Sequence, residues 1–120
     1  MELKVQQYLD EVRKTHDFTW MSVINAEGLA VCQSGTEEQF ELAALLPAWV
    51  SRGEQIADAA GMVAGMGLVC IVPKGGPHAL LLRGFDAVGS HFILLVATVR
   101  MPSKAAQQLH DICHSLAALL

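Results

Sequence analysis

The sequence predicts an α+β fold: a five-stranded, mainly antiparallel sheet sandwiched by helices, in the order α-β-β-α-β-β-β-α. Amphipathic stretches with apolar residues at helical spacing stand at both ends and in the middle of the chain. Between them lie short runs of apolar and β-branched residues, which are typical of strands. Brief segments containing Gly, Pro or Asn join successive runs, so neighbouring strands are expected to be antiparallel.

The first third of the chain predicts a helix and then a β-hairpin. Residues 2–15 form an amphipathic helix. Its apolar stripe consists of Val5, Tyr8, Leu9 and Val12. The run "FTWMSVI" (18–24) and the run "LAVCQ" (29–33) then flank the segment "NAEG" (25–28). Two strand-like runs around a short turn that ends in glycine are typical of a hairpin.

A long helix is predicted over about 37–61. A capping box at 36–39 begins it, and Gly61 or Gly65 ends it. Pro47 lies inside and is expected to bend the helix, because proline removes a backbone hydrogen bond. One face, taken as the face toward the core, carries residues at helical spacing: Leu42, Leu45, Leu46, Trp49, Gly53, Ile56 and Ala60.

The remaining sequence predicts three strands and a closing helix. The apolar runs 68–73, 78–85 and 91–99 are separated by "KGGP" and "DAVGS", both turn compositions. Every position from Phe92 to Ala97 is apolar, so both faces of the last strand are expected to be covered. The final helix follows with Ser103 as its expected cap. Its apolar stripe consists of Leu109, Ile112, Cys113, Leu116, Ala117 and Leu120.

The composition favours one domain that needs a partner. The chain has 120 residues, enough for one domain spanning 1–120, and no linker or internal repeat divides it. Hydrophobic residues make up 52% of the chain and charged residues 17%, below the roughly 25% typical of soluble domains. A small domain this apolar is expected to cover part of its surface by self-association or by binding another protein.

Several classes of protein are disfavoured. The net charge is −4 and the basic residues are scattered, which argues against nucleic-acid binding because phosphates need clustered cations. The charged N-terminus lacks the apolar region of a signal peptide. Asp58 and glycines interrupt the apolar segment 56–73, so membrane insertion is not expected. The wide spacing of Cys32, Cys70 and Cys113 favours reduced thiols in the cytoplasm.

The glycines of "AAGMVAGMGLVCIV" (59–72) raise the question of a phosphate-binding loop. They follow a helix and precede a strand, whereas such a loop follows a strand and opens a helix. Phosphate binding at these glycines is therefore not expected. His110 and His114 share a helical face but lack a third ligand, so an exposed pair is favoured over a metal site. No nucleophile-elbow, zinc-protease or kinase motif is present. The sequence therefore predicts a protein that is not an enzyme and that has no cofactor.

One face of the long helix has the composition of an interface. An ordinary exposed helix face carries several charges, but here Arg52 and acidic residues stand only at its flanks. Small side chains allow a second helix to approach closely, although an alanine-rich surface also suits helix propensity alone. The small, nearly uncharged residues opposite the Leu/Trp face are Ala44, Ala48, Ser51, Gln55 and Ala59.

Three parts of the chain carry a family resemblance. They are the hairpin "SVINAEGLAVCQSG" (22–35), the alanine-rich helix after it, and the final strand "HFILLVATV" (91–99) with its closing helix. On these soft motifs and on its order of elements, the whole chain resembles the Roadblock/dynein light chain family. It is similar in particular to bacterial members that regulate a gliding-motility GTPase. Pro47 inside the second helix is a departure from the family pattern.

The resemblance implies a dimer of identical chains, or of this chain and a paralogue. The second helices would pack side by side, and the third strands (Leu68–Pro73) would pair across a two-fold axis. Domains of this family are scaffolds or regulators of small Ras-like GTPases, and some bacterial members activate GTP hydrolysis. The expected interface residues are Ala44, Ala48, Ser51, Arg52, Gln55, Ala59, Leu68, Val69, Cys70, Ile71 and Val72.

These observations lead to competing functional hypotheses. The first is a dimeric regulatory or scaffold module that binds a small Ras-like GTPase. The alternative is a small-molecule sensing domain with a ligand pocket on the sheet, for which the polar candidates are Ser22, Arg83 and Thr98. A third hypothesis, an enzyme or metal protein, has only His110 and His114 in its support.

Overall fold

The computed structural model describes residues 2–35, 40–63 and 67–120, and it confirms the predicted order of elements. The capping box expected at 36–39 and the second expected helix end, Gly65, lie outside the described residues. The elements are α1 (Glu2–His16), β1 (Trp20–Asn25), β2 (Ala30–Ser34), α2 (Phe40–Ala59), β3 (Val69–Ile71), β4 (Ala79–Ala87), β5 (Ser90–Thr98) and α3 (Ala105–Leu119).

The strands form one antiparallel sheet in the spatial order β2-β1-β5-β4-β3. The apolar strand β5 lies at the centre, between β1 and β4, and its residues from Phe92 to Ala97 are buried. The strands β2 and β3 are the two edges. The pairing of β3 with β4 has three register positions, which join Val69 to Leu82, Cys70 to Leu81 and Ile71 to Leu80.

Helices cover both faces of the sheet, but unequally. On one face, α1 and α3 pack together over a core that includes Met21, Val23, Leu94 and Val96. On the other face α2 packs alone, over a smaller core. Because neighbouring residues of β5 enter opposite cores, both faces of the central strand are covered, as predicted. The core beneath α2 consists of Ile24, Ala43, Leu46, Val50, Leu82, Ile93 and Leu95.

The predicted hairpin turn is held by Asn25 and Gly28. The Oδ1 atom of Asn25 accepts hydrogen bonds from the backbone N–H groups of Glu27 (3.1 Å) and Leu29 (3.0 Å). Gly28 has a φ of +82° and donates its N–H to the carbonyl of Asn25 at 3.0 Å. A β-carbon at Gly28 would lie 2.9 Å from the Cα atom of Ala44. Glycine here therefore allows the turn to touch the backbone of α2.

The helix α2 ends in a glycine-dependent C-cap. Gly61 has a φ of +77° and donates its N–H to the carbonyl of Asp58, while the N–H of Met62 donates to the carbonyl of Ala57, both at 3.0 Å. This is the Schellman pattern, in which a left-handed glycine gives the last carbonyls of a helix their donors. Of the two helix ends expected from the sequence, Gly61 is the one at which the structure places the C-cap, and α2 continues through Pro47 without interruption.

The orientation of α2 corrects the sequence analysis. Leu45, Trp49 and Ile56 were expected on the core-facing side, but they are exposed by 60%, 55% and 67% of their area. Large apolar residues stand on both the sheet-facing and the outward side of the helix, so hydrophobic spacing alone does not single out the side that is buried. Small residues on the buried side let α2 lie close to the sheet and the hairpin. From Glu41 to Ala59, the buried residues of α2 are Ala43, Leu46, Val50 and Ala57.

The start of α3 also differs from the expectation. Lys104, not Ser103, is the N-cap residue, with a φ of +55° and no side-chain cap hydrogen bond. Its carbonyl accepts the N–H of Gln108 at 3.0 Å, which begins the helix without help from a serine hydroxyl. The apolar stripe of α3 is buried as predicted at Leu109, Ile112, Cys113 and Leu116.

Candidate interaction surface

The outward side of α2 is an apolar surface. Three large side chains project from it, and the smaller residues between them carry few charges. Neither α2 nor any other described helix is long and apolar enough to span a membrane. We call this side the α2 surface, which we define by the exposed residues Ala44, Leu45, Ala48, Trp49, Ser51, Arg52, Gln55, Ile56 and Ala59. The exposed carboxylates of Glu41, Glu54 and Asp58 stand at its borders.

A groove of about 580 Å³ separates the C-terminal half of α2 from the start of β3. Its lining is mainly apolar, and Arg52 is the charged residue on its described wall. The guanidinium of Arg52 donates from Nη1 to Oε1 of Gln55 at 3.2 Å, which directs it along the helix. Trp49, Ile56 and Met62 form one wall. The opposite wall consists of Gly67, Leu68 and Val69.

The strand β3 continues the groove to the edge of the sheet. Leu68 and Val69 are half-buried, whereas Cys70, Ile71 and Val72 are exposed. In the part of the chain that the structure describes, β4 is the strand that pairs with β3, and the outer side of β3 has none. A short apolar edge with unpaired backbone groups is suited to adding another strand.

The structure therefore places the expected interface residues as follows. Ala48, Arg52, Leu68 and Val69 meet in the groove. The other residues expected from α2 are exposed along the same helix, and those expected from the third strand are exposed on the sheet edge. Sequence reasoning missed the large residues of this surface, because it assigned them to the core. The missed signal was a second apolar stripe on α2, beyond the one that the sheet can cover.

The polar residues considered for a sensing pocket do not converge. Ser22 lies opposite Leu95 on the α2 side of the sheet, and its hydroxyl is 3.5 Å from the carbonyl of Cys32. Arg83 lies opposite Leu94, whose side chain belongs to the other core. The hydroxyl of Thr98 donates to the carbonyl of Arg100 at 2.8 Å. The side chains of Ser22, Arg83 and Thr98 thus form hydrogen bonds with different residues and do not meet in one pocket.

The histidine and cysteine candidates lie on the opposite side of the sheet from α2. His110 and His114 are exposed on α3, with stacked rings whose centroids are 6.4 Å apart. The Nδ1 atom of His110 is 3.2 Å from Nη2 of Arg83. Burial raises the pKa of the Cys113 thiol to about 12, an effect that the nearby Arg83 charge partly offsets. Within the described ranges, no three potential ligands come together as a metal site.

Comparison with solved structures gives this arrangement its place among known folds. MglB of Myxococcus xanthus superposes with a TM-score of 0.66 at 16% identity, over 96% of this chain and 91% of that one. The gliding protein MglB of Thermus thermophilus gives 0.67 at 14% identity, over 97% and 90%. A Roadblock/LC7 domain from Streptomyces avermitilis gives 0.61 at 15% identity, over 85% and 84%. The chain has the Roadblock/LC7 fold.

Other comparisons bound what this fold likeness means. A structure described as MglB with a tetrameric arrangement superposes with a TM-score of 0.62 at 16% identity, over 94% of this chain and 90% of that one. Profilin II of Acanthamoeba castellanii also superposes, with a TM-score of 0.60 at 19% identity over 95% of this chain and 97% of that one. No protein-family profile and no curated protein sequence matches this chain. The likeness is therefore one of architecture, and the function rests on the surfaces of this chain.

Proposed function

We propose that this protein is a cytoplasmic, dimeric regulatory or scaffold module for a small Ras-like GTPase. The observation that supports this proposal is that the apolar α2 surface and the open edge of β3 lie side by side, one on each side of the groove. A second copy of the chain, or a paralogue, covers both at once in this proposal. The Roadblock/LC7 fold and the tetrameric MglB arrangement favour self-association of such a domain.

The physical case for self-association is the cost of leaving this surface in water. Trp49 and Ile56 both expose more than half of their area and face the groove. A two-fold axis beside α2 would bring the same residues of both copies together, which is how a symmetric dimer covers one patch with itself. Small residues at Ala44 and Ala48 leave room for the partner helix, and the partner's β3 would extend the sheet.

The proposed GTPase role does not depend on chemistry supplied by this chain. Arg52 is the nearest candidate for an arginine that reaches into a GTPase site, and it is bonded to Gln55 on its own helix. The proposed effect on GTP hydrolysis is therefore indirect: the module orders the catalytic groups that the GTPase already has. The Roadblock resemblance supports this class of partner.

Sedimentation velocity on the α2 double-Glu variant, Ala48→Glu with Ser51→Glu, tests the dimer. We expect the natural chain to sediment as a dimer at micromolar concentration and the variant as a monomer, because four carboxylates would be buried at the seam without partners. The matched control is Lys4→Glu with Gln7→Glu on the exposed side of α1, which should remain dimeric. A natural chain that is monomeric at these concentrations would overturn the proposal.

A second experiment tests the partner. Small Ras-like GTPases encoded in the same genome are purified with bound GTP analogue or GDP, and binding is measured by fluorescence anisotropy. We expect one of them to bind in a nucleotide-dependent way, with its GTP hydrolysis rate altered by the natural chain. Absence of binding by all of them, with the dimer intact, would leave self-association and reject the GTPase role.

The groove also gives the sensing hypothesis a specific observation. Its volume of about 580 Å³ lies in the range of small-ligand pockets, and its wall is mostly apolar. Thermal shift of the natural chain against nucleotides and metabolites separates the two functions, because Ala48 lines the groove and must stay unchanged in this test. A ligand that stabilises the natural chain by several degrees would favour a sensor, whereas a dimer would fill the groove without one.

A further inference from the structure

The guanidinium of Arg83 ties three elements together on the side of the sheet opposite α2. Arg83 projects from β4, and its Nη1 atom donates a hydrogen bond to the carbonyl of Gly67, just before β3. Its Nη2 atom lies 3.2 Å from Nδ1 of His110 on α3. We call Arg83, Gly67 and His110 the Arg83 latch.

The latch holds the part of the chain that leads into the open sheet edge. Gly67 lines the groove and precedes β3 by two residues. The strand has only three register positions with β4, so the bond at Gly67 is a substantial part of its attachment. A β-carbon at Gly67 would lie 3.4 Å from Cβ of Ala106, which shows that this segment also rests against α3. The orientation of α3 and Arg83 thus fixes where β3 begins.

Protonation of His110 is incompatible with the latch. A guanidinium offers only donors, so the 3.2 Å contact requires an unprotonated Nδ1 atom as acceptor. An imidazolium has no acceptor, and it would place a second cation against Arg83. Histidine is the side chain that ordinarily changes charge between pH 5 and 8.

The other charged and titratable groups around His110 do not reverse the effect of its protonation on the Arg83 latch. His114 stacks on His110 from the next turn and adds positive charge when protonated. Asp111, the adjacent carboxylate, accepts a hydrogen bond from Nε2 of Gln107 at 2.9 Å. The buried Cys113 thiol stays neutral below pH 8. The charged residues of α1 that are bonded to the rest of the fold, Asp10 and Arg13, bind Ser34 on β2 instead.

We infer that His110 is a proton-sensitive control on β3: when neutral it keeps Arg83 on the Gly67 carbonyl, and when protonated it releases Arg83 and loosens the sheet edge. The consequence for self-association rests on the proposed function, because it requires β3 to belong to the dimer interface. The effect on β3 itself is independent of the proposed function. Acidification is then expected to weaken the dimer without unfolding the domain.

Two-dimensional NMR of the full chain between pH 8 and pH 5.5 tests the inference at β3. We expect the backbone amide signals of Gly67 and Leu68 to shift with the same midpoint as the His110 ring protons. His110→Gln supplies an amide oxygen that can still accept from Arg83, so its Gly67 signal should be independent of pH. His114→Gln keeps the latch and should behave as the natural chain does. Gly67 and Leu68 signals that do not follow His110, or that shift equally in His110→Gln, would overturn it.

Sedimentation over the same pH range tests the consequence for the dimer. The dissociation constant of the natural dimer should rise several-fold on acidification, and that of His110→Gln should not. If no dimer forms at any pH, the proposed function fails, while the NMR result still decides the latch. If the dimer forms and its affinity is equally insensitive to pH in both proteins, control of the dimer by His110 is rejected and the dimer stands.

Discussion

Replacement of Gly28 by alanine tests the contact between the hairpin turn and α2. The matched control is Gly89→Ala in the β4–β5 turn. The two glycines have nearly the same positive φ, +82° and +75°. They differ in surroundings, because a β-carbon at Gly28 would lie 2.9 Å from Cα of Ala44, whereas one at Gly89 would meet no described atom within 4 Å. The difference between the variants therefore isolates the contact.

The expected magnitudes follow from that geometry. A left-handed backbone costs an ordinary residue about 1–2 kcal/mol, and alanine recovers roughly half a kcal/mol by restricting the unfolded chain. Gly89→Ala should therefore lower the free energy of unfolding by about 1 kcal/mol. Gly28→Ala must also displace the backbone of α2, and overpacking of this kind adds roughly 2 kcal/mol. Its total loss should be about 3 kcal/mol.

Urea unfolding of both substitutions in the α2 double-Glu variant measures the difference, since self-association there does not contribute to stability. Thermal midpoints should fall by about 12 °C for Gly28→Ala and about 4 °C for Gly89→Ala. Equal losses, within about 0.5 kcal/mol, would refute the close approach of the turn to α2. A loss at Gly28 with an unchanged urea m-value would confirm that the domain still unfolds as one unit.

Four further predictions concern single side chains. Because burial raises the pKa of the Cys113 thiol to about 12, a thiol reagent at pH 8 should modify the exposed Cys70 and leave Cys113 unmodified until the chain unfolds. Folding raises that pKa from 9.0, so as the pH rises from 9 toward 12 the natural chain should lose stability to urea relative to Cys113→Ala. Val88→Asn should raise the unfolding free energy by about 1 kcal/mol, since a β-branched residue at φ +47° is strained in a turn that favours asparagine. Trp49→Ala should weaken the dimer about 30-fold to 150-fold by sedimentation, since covering roughly 100 Å² of apolar surface contributes about 2–3 kcal/mol. Leu3→Ala on α1 should not weaken it, and equal effects would remove Trp49 from the dimer interface.

Local sequence signals predicted most of the fold. Three features depend on neighbours in the chain and were recognisable before any tertiary contact was known: the Asn25–Gly28 turn, the glycine C-cap at Gly61 and the apolar run from Phe92 to Ala97 in β5. The stripe of α3 was equally clear, because its polar face is well separated from its apolar one. The spatial order of the strands did not follow from these local signals, since it depends on pairing between distant segments.

The candidate surface was harder to predict than the fold. The residues of α2 carry two apolar stripes, and hydrophobicity alone does not say which one the sheet covers. The large side chains of Leu45, Trp49 and Ile56 were assigned inward, but the close approach of Gly28 to the backbone of Ala43 and Ala44 places the small Ala43 in the core instead. Which face of a helix is buried depends on how closely the helix packs against the neighbouring strands and turns. That distance is known only from the tertiary structure.

Because helices cover the two faces of the sheet unequally, we expect α2 to detach from the sheet more readily than α1 and α3. From Glu41 to Ala59, where the structure describes the burial of α2, four side chains are buried and two of them are alanines, so few apolar contacts there resist its detachment. In hydrogen exchange, α2 should open locally at a lower free energy than the α1–α3 side of the sheet. A partner bound to the α2 surface would slow that opening in proportion to its concentration. The amide protons of α2 would then record how much of the protein is assembled, while those of α3 report only on the fold of a single chain.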